Sequence, residues 1–259
     1  MHTIALVSRK GGTGKSTLAI GLAIAAMEAG HKVRLVEADP LGTLSHWRAR
    51  RGQPEPAVET VRDGYELVQL VRCLADCGTT LAIIDTAGGW SDAFAAAVGV
   101  ADLCLLPARP SPPDIEAAAP ALAAIRASGK PFAFVLNQTP VRSYRVANAA
   151  GSLGDTASAL NMMGVLALPY IVHRNDQQDA VGLGLAVTEY AGDGKSADEI
   201  RALWQWIWSR LVAVAPTDFA SPTAADLATA DAAAVAEINV DLPAVPLLAD
   251  AQVGWHAAG

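Results

Sequence analysis

The chain is poor in charge. Only 17% of its 259 residues are Asp, Glu, Lys or Arg, and 26 acidic residues outnumber 19 basic ones, for a formal net charge of −7. That balance excludes a protein coated in basic surface for nucleic acid, though not a local basic patch. Cysteine is scarce as well. Cys73, Cys77 and Cys104 are an odd, sparse set with no disulfide framework, which fits a reducing cytosol. Cys73 and Cys77 lie four apart on an expected helix and read as two packed thiols on one face rather than as ligands of a bridging metal or cluster. Long apolar runs are missing too. Without a stretch approaching 18 uninterrupted apolar residues there is no candidate membrane span. The first apolar run, residues 3–8, is too short for a secretory signal and passes directly into a glycine loop. The expectation is a soluble, cytoplasmic protein.

What the chain does have is apolar bulk, 52% of its residues, in short runs that alternate with helical patterns. Strands are expected at Ile4–Val7, Val33–Ala38, Leu81–Ile84, Leu103–Pro107 and Phe132–Leu136, with a sixth at Gly164–Leu168. Helices are expected at Ser16–Ala29, Tyr65–Ala75, Ser91–Val98, Pro113–Ala127, Tyr144–Met162 and Ser196–Val214. Strands without polar alternation are buried on both faces, as in parallel sheets, and strands alternating with helices imply right-handed crossovers. The fold class is therefore α/β: a doubly wound, mostly parallel sheet with helices on both faces. One domain is expected over residues 1–214. Residues 215–259, rich in alanine and proline, read as a poorly packed tail, although 223–238 could form a helix with few large apolar groups to bury.

The chemistry gathers where strands end. Ser8-Arg9-Lys10-Gly11-Gly12-Thr13-Gly14-Lys15-Ser16-Thr17 follows the first strand and opens the first helix, close to the Gly-x-x-x-x-Gly-Lys-Ser phosphate loop, with Arg9 in place of the first glycine. Glycines let the N–H groups of Gly11, Gly12, Thr13 and Gly14 curl around phosphate oxygens, and the helix start adds its positive dipole end. Lys15 can reach the β and γ phosphates of ATP or the β phosphate of ADP, Ser16 offers a hydroxyl to Mg²⁺, and Thr17 one to the α phosphate. Leu81-Ala82-Ile83-Ile84-Asp85 is a buried strand ending in a carboxylate placed for Mg²⁺, bound through water. At the end of the fifth strand, the Asn137 amide can satisfy both edges of adenine. Pro169-Tyr170-Ile171, after the sixth, can pack the other side of the base.

Lys10-Gly11-Gly12-Thr13-Gly14-Lys15-Ser16 resembles the KGGxGK[ST] loop of the ParA/MinD superfamily of deviant Walker A ATPases, P-loop NTPases by fold. Glu37-Ala38-Asp39-Pro40-Leu41-Gly42 looks like the family's DxDPQG switch, with Leu41 where glutamine is usual. Leu106 to Asp114 resembles its P-x-P-x-x-x-D stretch. Trp47, Arg174 and the segment Gly184–Glu189 are similar to the short partition ATPases that lack an N-terminal DNA-binding domain. The resemblance covers residues 1–214.

It implies Lys10, Lys15 and Asp39 as catalytic residues. Lys10 would be the signature lysine that acts on phosphates held by the other subunit, and Asp39 would orient the attacking water. It implies slow hydrolysis of ATP, an ATP-dependent homodimer, non-specific DNA binding at the nucleoid and a cargo-bound, ParB-like adaptor, with plasmid, chromosome or another large body as cargo. The arginines Arg201 and Arg210, nine apart on the last long helix and expected about a quarter-turn from sharing a face, are the first DNA-contact candidates, with Arg142 and Arg145 next. A MinD-like membrane-associated switch and a nucleotide-gated scaffold remain as alternatives. The first needs a basic amphipathic C-terminal helix, whereas the tail here is acidic and alanine-rich.

Overall fold

The computed structural model describes residues 1–140 and 165–213. The expected 144–162 helix, Arg142, Arg145 and the 215–259 tail lie outside the described residues. Six strands form the sheet: β1 (His2–Leu6), β2 (Val33–Ala38), β3 (Ala57–Thr60), β4 (Leu81–Thr86), β5 (Leu103–Ala108) and β6 (Phe132–Leu136), in the order β3-β2-β4-β1-β5-β6. Every pairing is parallel. The inner strands β4 and β5 are buried at every residue, which is why their sequences show no polar alternation.

Nine helices join or flank these strands among the described residues: α1 (Lys15–Glu28), α2 (Thr43–Arg50), α3 (Gly64–Asp76), α4 (Asp92–Val100), α5 (Pro112–Glu116), α6 (Ala119–Ala127), α7 (Asn175–Gly182), α8 (Val187–Tyr190) and α9 (Lys195–Ala213). Because strand side chains alternate, Ile4, Leu6 and Ile83 face a core with α1, α2 and α9, while Ala5, Val7 and Ile84 face a second core with α3, α4 and α6. Helix α1 lies between the sheet and α9, and it is buried without a break from Leu18 to Ala26. Each fully buried Leu or Ile there stabilises the fold by about 1.5–3 kcal/mol. Beyond α1 the chain leaves β1 in one direction to reach β2, and beyond β5 it leaves in the other to reach β6. A crevice therefore opens at the carboxyl ends of β1 and β5.

Four elements escape the sequence pattern. Helix α2 buries only Leu44 and Trp47, α7 only Ala180, and α8 is a single turn. Edge strand β3 is half-buried at best. The single helix expected over 113–127 is two, because Pro120 has no N–H to donate and is tolerated only in the first turn of α6. The sixth strand expected at 164–168 is not a strand among the described residues. The chain there follows β6 through isolated parallel bridges, Phe134 to Leu166 and Thr139 to Val172. Six residues on the outer chain span five on the inner one, so the ladder breaks around Pro169, which cannot donate to it. Cys73 and Cys77 are not packed but exposed, since Leu67, Val71 and Leu74 take the buried face of α3.

One buried staple ties α2 to the far end of the chain. Arg51 makes a two-pronged ion pair with Glu189 at 2.7 and 2.8 Å, donates to Gly184 O, and stacks on Trp47 at 5.0 Å. The Trp47 indole donates to Leu185 O at 3.1 Å. These contacts join Trp47 to the Gly184–Glu189 segment, while Arg174 is held separately by Glu199.

Candidate functional site

The phosphate loop leaves β1 and is held from outside by the next strand ends. Arg109, after β5, donates to Gly12 O at 2.7 Å and to Gln138 Oε1 at 2.9 Å. Gln138 Nε2 donates to Gly12 O at 3.0 Å, and Asn137 Nδ2 to Thr13 O at 2.8 Å. With those carbonyls turned outward, the loop's N–H groups are left for an anion. Gly14 has φ 89°, and a Cβ there would run into the Asn137 amide, so both conformation and space require glycine.

Lys15, the first residue of α1, is buried, and burial lowers its ammonium pKa against the pull of Asp85 and Asp39. Asp85 ends β4 between Leu6 of β1 and Glu37 of β2. It is wholly buried, and neither carboxylate oxygen has a hydrogen-bond partner. Burial pushes its carboxyl up to about 7, although the Ser16 hydroxyl and Lys15 draw it down. Two orphaned carboxyl oxygens near a serine hydroxyl and a phosphate loop fit the water shell of a hard divalent cation. Glu37 is the opposite case. Its carboxylate accepts from Leu44 N at 2.5 Å, Ser45 N at 3.1 Å and the Ser45 hydroxyl, and so caps α2, whose N-cap Gly42 has no side chain for the task. Asp39, half-buried at the strand tip, accepts from Leu41 N at 2.9 Å and keeps the turn closed, while Leu41 stands 75% exposed.

Lys10 ion-pairs with Asp114 of its own chain at 2.8 Å. Burial resists ionisation of that carboxyl, yet Lys10 and the Ser111 hydroxyl hold it below the usual carboxylate range. Beyond Thr17 a cleft with about 430 Å³ of open space runs between the start of α1, the end of β6 and α7. Its walls include Leu18, Asn137, Ile171, His173 and Gln177.

The structure therefore brings Lys10, Gly11 to Thr17, Asp39, Asp85 and Asn137 to one end of the sheet. Pro169 does not line the cleft; Ile171, Val172 and His173 do. Arg109, Gln138 and Gln177 were not singled out from the sequence. Arg109 lies within the Leu106 to Asp114 stretch and Gln138 follows Asn137, and those placements are their only signal in the sequence. The DNA-contact pair needs correction. Residues 201 and 210 are nine apart, about two and a half turns, so they leave α9 on opposite sides. Arg201 is engaged by Glu28 at 2.8 Å and the Gly192 carbonyl at 2.6 Å, and Arg210 lies over Trp206 at 4.8 Å.

Comparison with known proteins agrees with this geometry. Residues 4–207 match the family model of the CobQ/CobB/MinD/ParA nucleotide binding domain. The maintenance of carboxysome distribution protein A of Gloeobacter kilaueensis is 31% identical over 210 residues, covering 78% of this chain and 89% of that protein. Among solved structures, apo McdA of Cyanthece superposes with a TM-score of 0.65 at 16% identity, over 82% of this chain and 99% of the other. The septum site-determining protein MinD of Pyrococcus horikoshii, complexed with Mg-ADP, does so with a TM-score of 0.59 at 17% identity, over 80% and 95%. The chain belongs to the CobQ/CobB/MinD/ParA family of nucleotide-binding domains.

Proposed function

We propose that the chain is an ATP-hydrolysing, dimerising switch that partitions or positions plasmid or chromosomal DNA or another large cargo. The observation that carries this reading is Asp85, a buried carboxylate without a partner beside the buried Lys15 at a phosphate loop. Mg²⁺ and ATP complete such an arrangement. Ser16 and Asp85 would hold the ion, which when bound draws charge from the phosphate oxygens. Lys15 binds the β and γ phosphates, and Thr17 the α phosphate. Asp39 orients a water molecule whose oxygen attacks the γ phosphorus as the bond to ADP breaks. Lys10 leaves Asp114 and reaches the phosphates of the other subunit, countering transition-state charge. Exposed Trp90, under Arg9 of the loop, and exposed Leu41, in the turn after Asp39, supply apolar surface for that dimer face.

The ATPase lies within residues 1–214, with 215–259 as a tail. The name of the Gloeobacter relative supports a positioning role. The partners proposed with that role are a cargo-bound, ParB-like adaptor and non-specific DNA as the track. Among the described residues no helix is long and apolar enough to cross a membrane. Sizing chromatography and phosphate release, each with Mg-ATP, Mg-ADP or no nucleotide and with or without DNA, test the reading. Expected are an ATP-dependent dimer, slow turnover, and DNA retention only at low salt with ATP. A chain that stays monomeric with Mg-ATP refutes the switch. A dimer that retains no DNA at low salt removes the DNA track.

A further inference from the structure

Thr17 marks where the α phosphate of a bound nucleotide would end, so sugar and base must lie in the cleft beyond it. Leu18 and Ile171 give that cleft apolar walls. One donor on its wall has no acceptor. Gln177, in the first turn of α7, has its amide Nε2 shielded from solvent and without a hydrogen-bond partner. Native structures seldom leave such an amide unpaired unless something else is to occupy the site.

Two of its polar neighbours are already engaged. Arg174 faces Glu199 through two bonds of 2.8 Å. Asn137 gives Nδ2 to Thr13 O and takes Gln138 N on Oδ1. One N–H and one lone pair of Asn137 remain, whereas the Gln177 amide nitrogen keeps both its N–H groups. Gln177 still has its donor.

We infer that Gln177 is a base-reading residue, its Nε2 donating to an unprotonated ring nitrogen of a purine while Asn137 holds the phosphate loop. The inference rests on the nucleotide reading given above.

Titration calorimetry on the full chain tests it, with ADP and inorganic tripolyphosphate as probes and Gln177→Met and Gln177→Glu as variants. Methionine keeps the length and removes the donor, and glutamate puts an acceptor in its place. ADP affinity should fall about five- to tenfold in Gln177→Met and further in Gln177→Glu, while tripolyphosphate binds as before. Among deaza analogues of ADP, the one lacking the acceptor nitrogen should lose affinity for the wild-type chain and lose none for Gln177→Met. Wild-type ADP affinity in Gln177→Met overturns the inference alone. So does an equal loss of ADP and tripolyphosphate, which would place Gln177 behind the phosphate loop, and so does equal wild-type affinity for every deaza analogue. If the wild-type chain binds neither ADP nor tripolyphosphate, the nucleotide reading falls and takes this inference with it.

Discussion

The ends of β2 and β4 invite comparison. Glu37 and Asp85 are register partners on adjacent parallel strands, both carboxylates and both buried. Glu37 accepts three hydrogen bonds from the start of α2, and Asp85 accepts none. Identical chemistry one strand apart thus does two jobs. A satisfied buried carboxylate belongs to the fold, while an unsatisfied one is held at a cost that a ligand can relieve. The contrast also separates the two switch segments. The one after β2 is pinned by a capped helix, whereas the one after β4 starts from a carboxyl that accepts no hydrogen bond.

Several variants would break or sharpen this contrast. The largest effect is expected from Lys15→Ala, which removes the cation facing Asp85 and a charge that backbone N–H groups cannot replace. ATP affinity should fall by at least about a hundredfold, read by calorimetry. Asp39→Ala, next to the pinned segment, should leave ATP binding intact and cut turnover by roughly a hundredfold, so that sizing with Mg-ATP shows a persistent dimer. Normal turnover would remove Asp39 from the chemistry.

Glu37→Ala should cost the fold about 2–4 kcal/mol in urea denaturation, because the first turn of α2 loses its acceptor. The smallest effect is expected at the α2 staple. The Glu189 carboxyl is raised by burial but lowered by more through Arg51 and the Ala186 N–H, so its folded pKa lies below the usual 4.5. Its stabilisation is therefore present above about pH 4.5 and lost as pH falls through the lower folded value. Glu189→Gln should lose about 1–2 kcal/mol at neutral pH and flatten the acid limb of the stability curve. A variant that loses stability equally at every pH would contradict the ion pair.

Much of this was legible beforehand for a physical reason. Buried parallel strands such as the run Leu81 to Ile84 are apolar throughout, and a phosphate loop is local in sequence, so both announce themselves. Elements stabilised by distant contacts do not. Helix α2 is polar over most of its surface, and it is held by Glu37 from before it and by Leu185, Gly184 and Glu189 from more than 130 residues later. Arg109 and Gln138 clamp the phosphate loop across 97 and 126 residues. No local pattern encodes such reach. The exposed Cys73 and Cys77 show the converse failure, a regular spacing read as packing when the apolar stripe of α3 ran elsewhere.

The comparison of Asp85 with Glu37 is tested most directly by removing each charge without changing size. Urea stability of the ligand-free chain and ATP affinity with and without Mg²⁺ should be measured for Asp85→Asn and Glu37→Gln. The account predicts that Asp85→Asn folds at least as stably as wild type and loses the Mg²⁺-dependent gain in ATP affinity, while Glu37→Gln loses stability and keeps that gain. Retention of the full Mg²⁺ dependence by Asp85→Asn would contradict it.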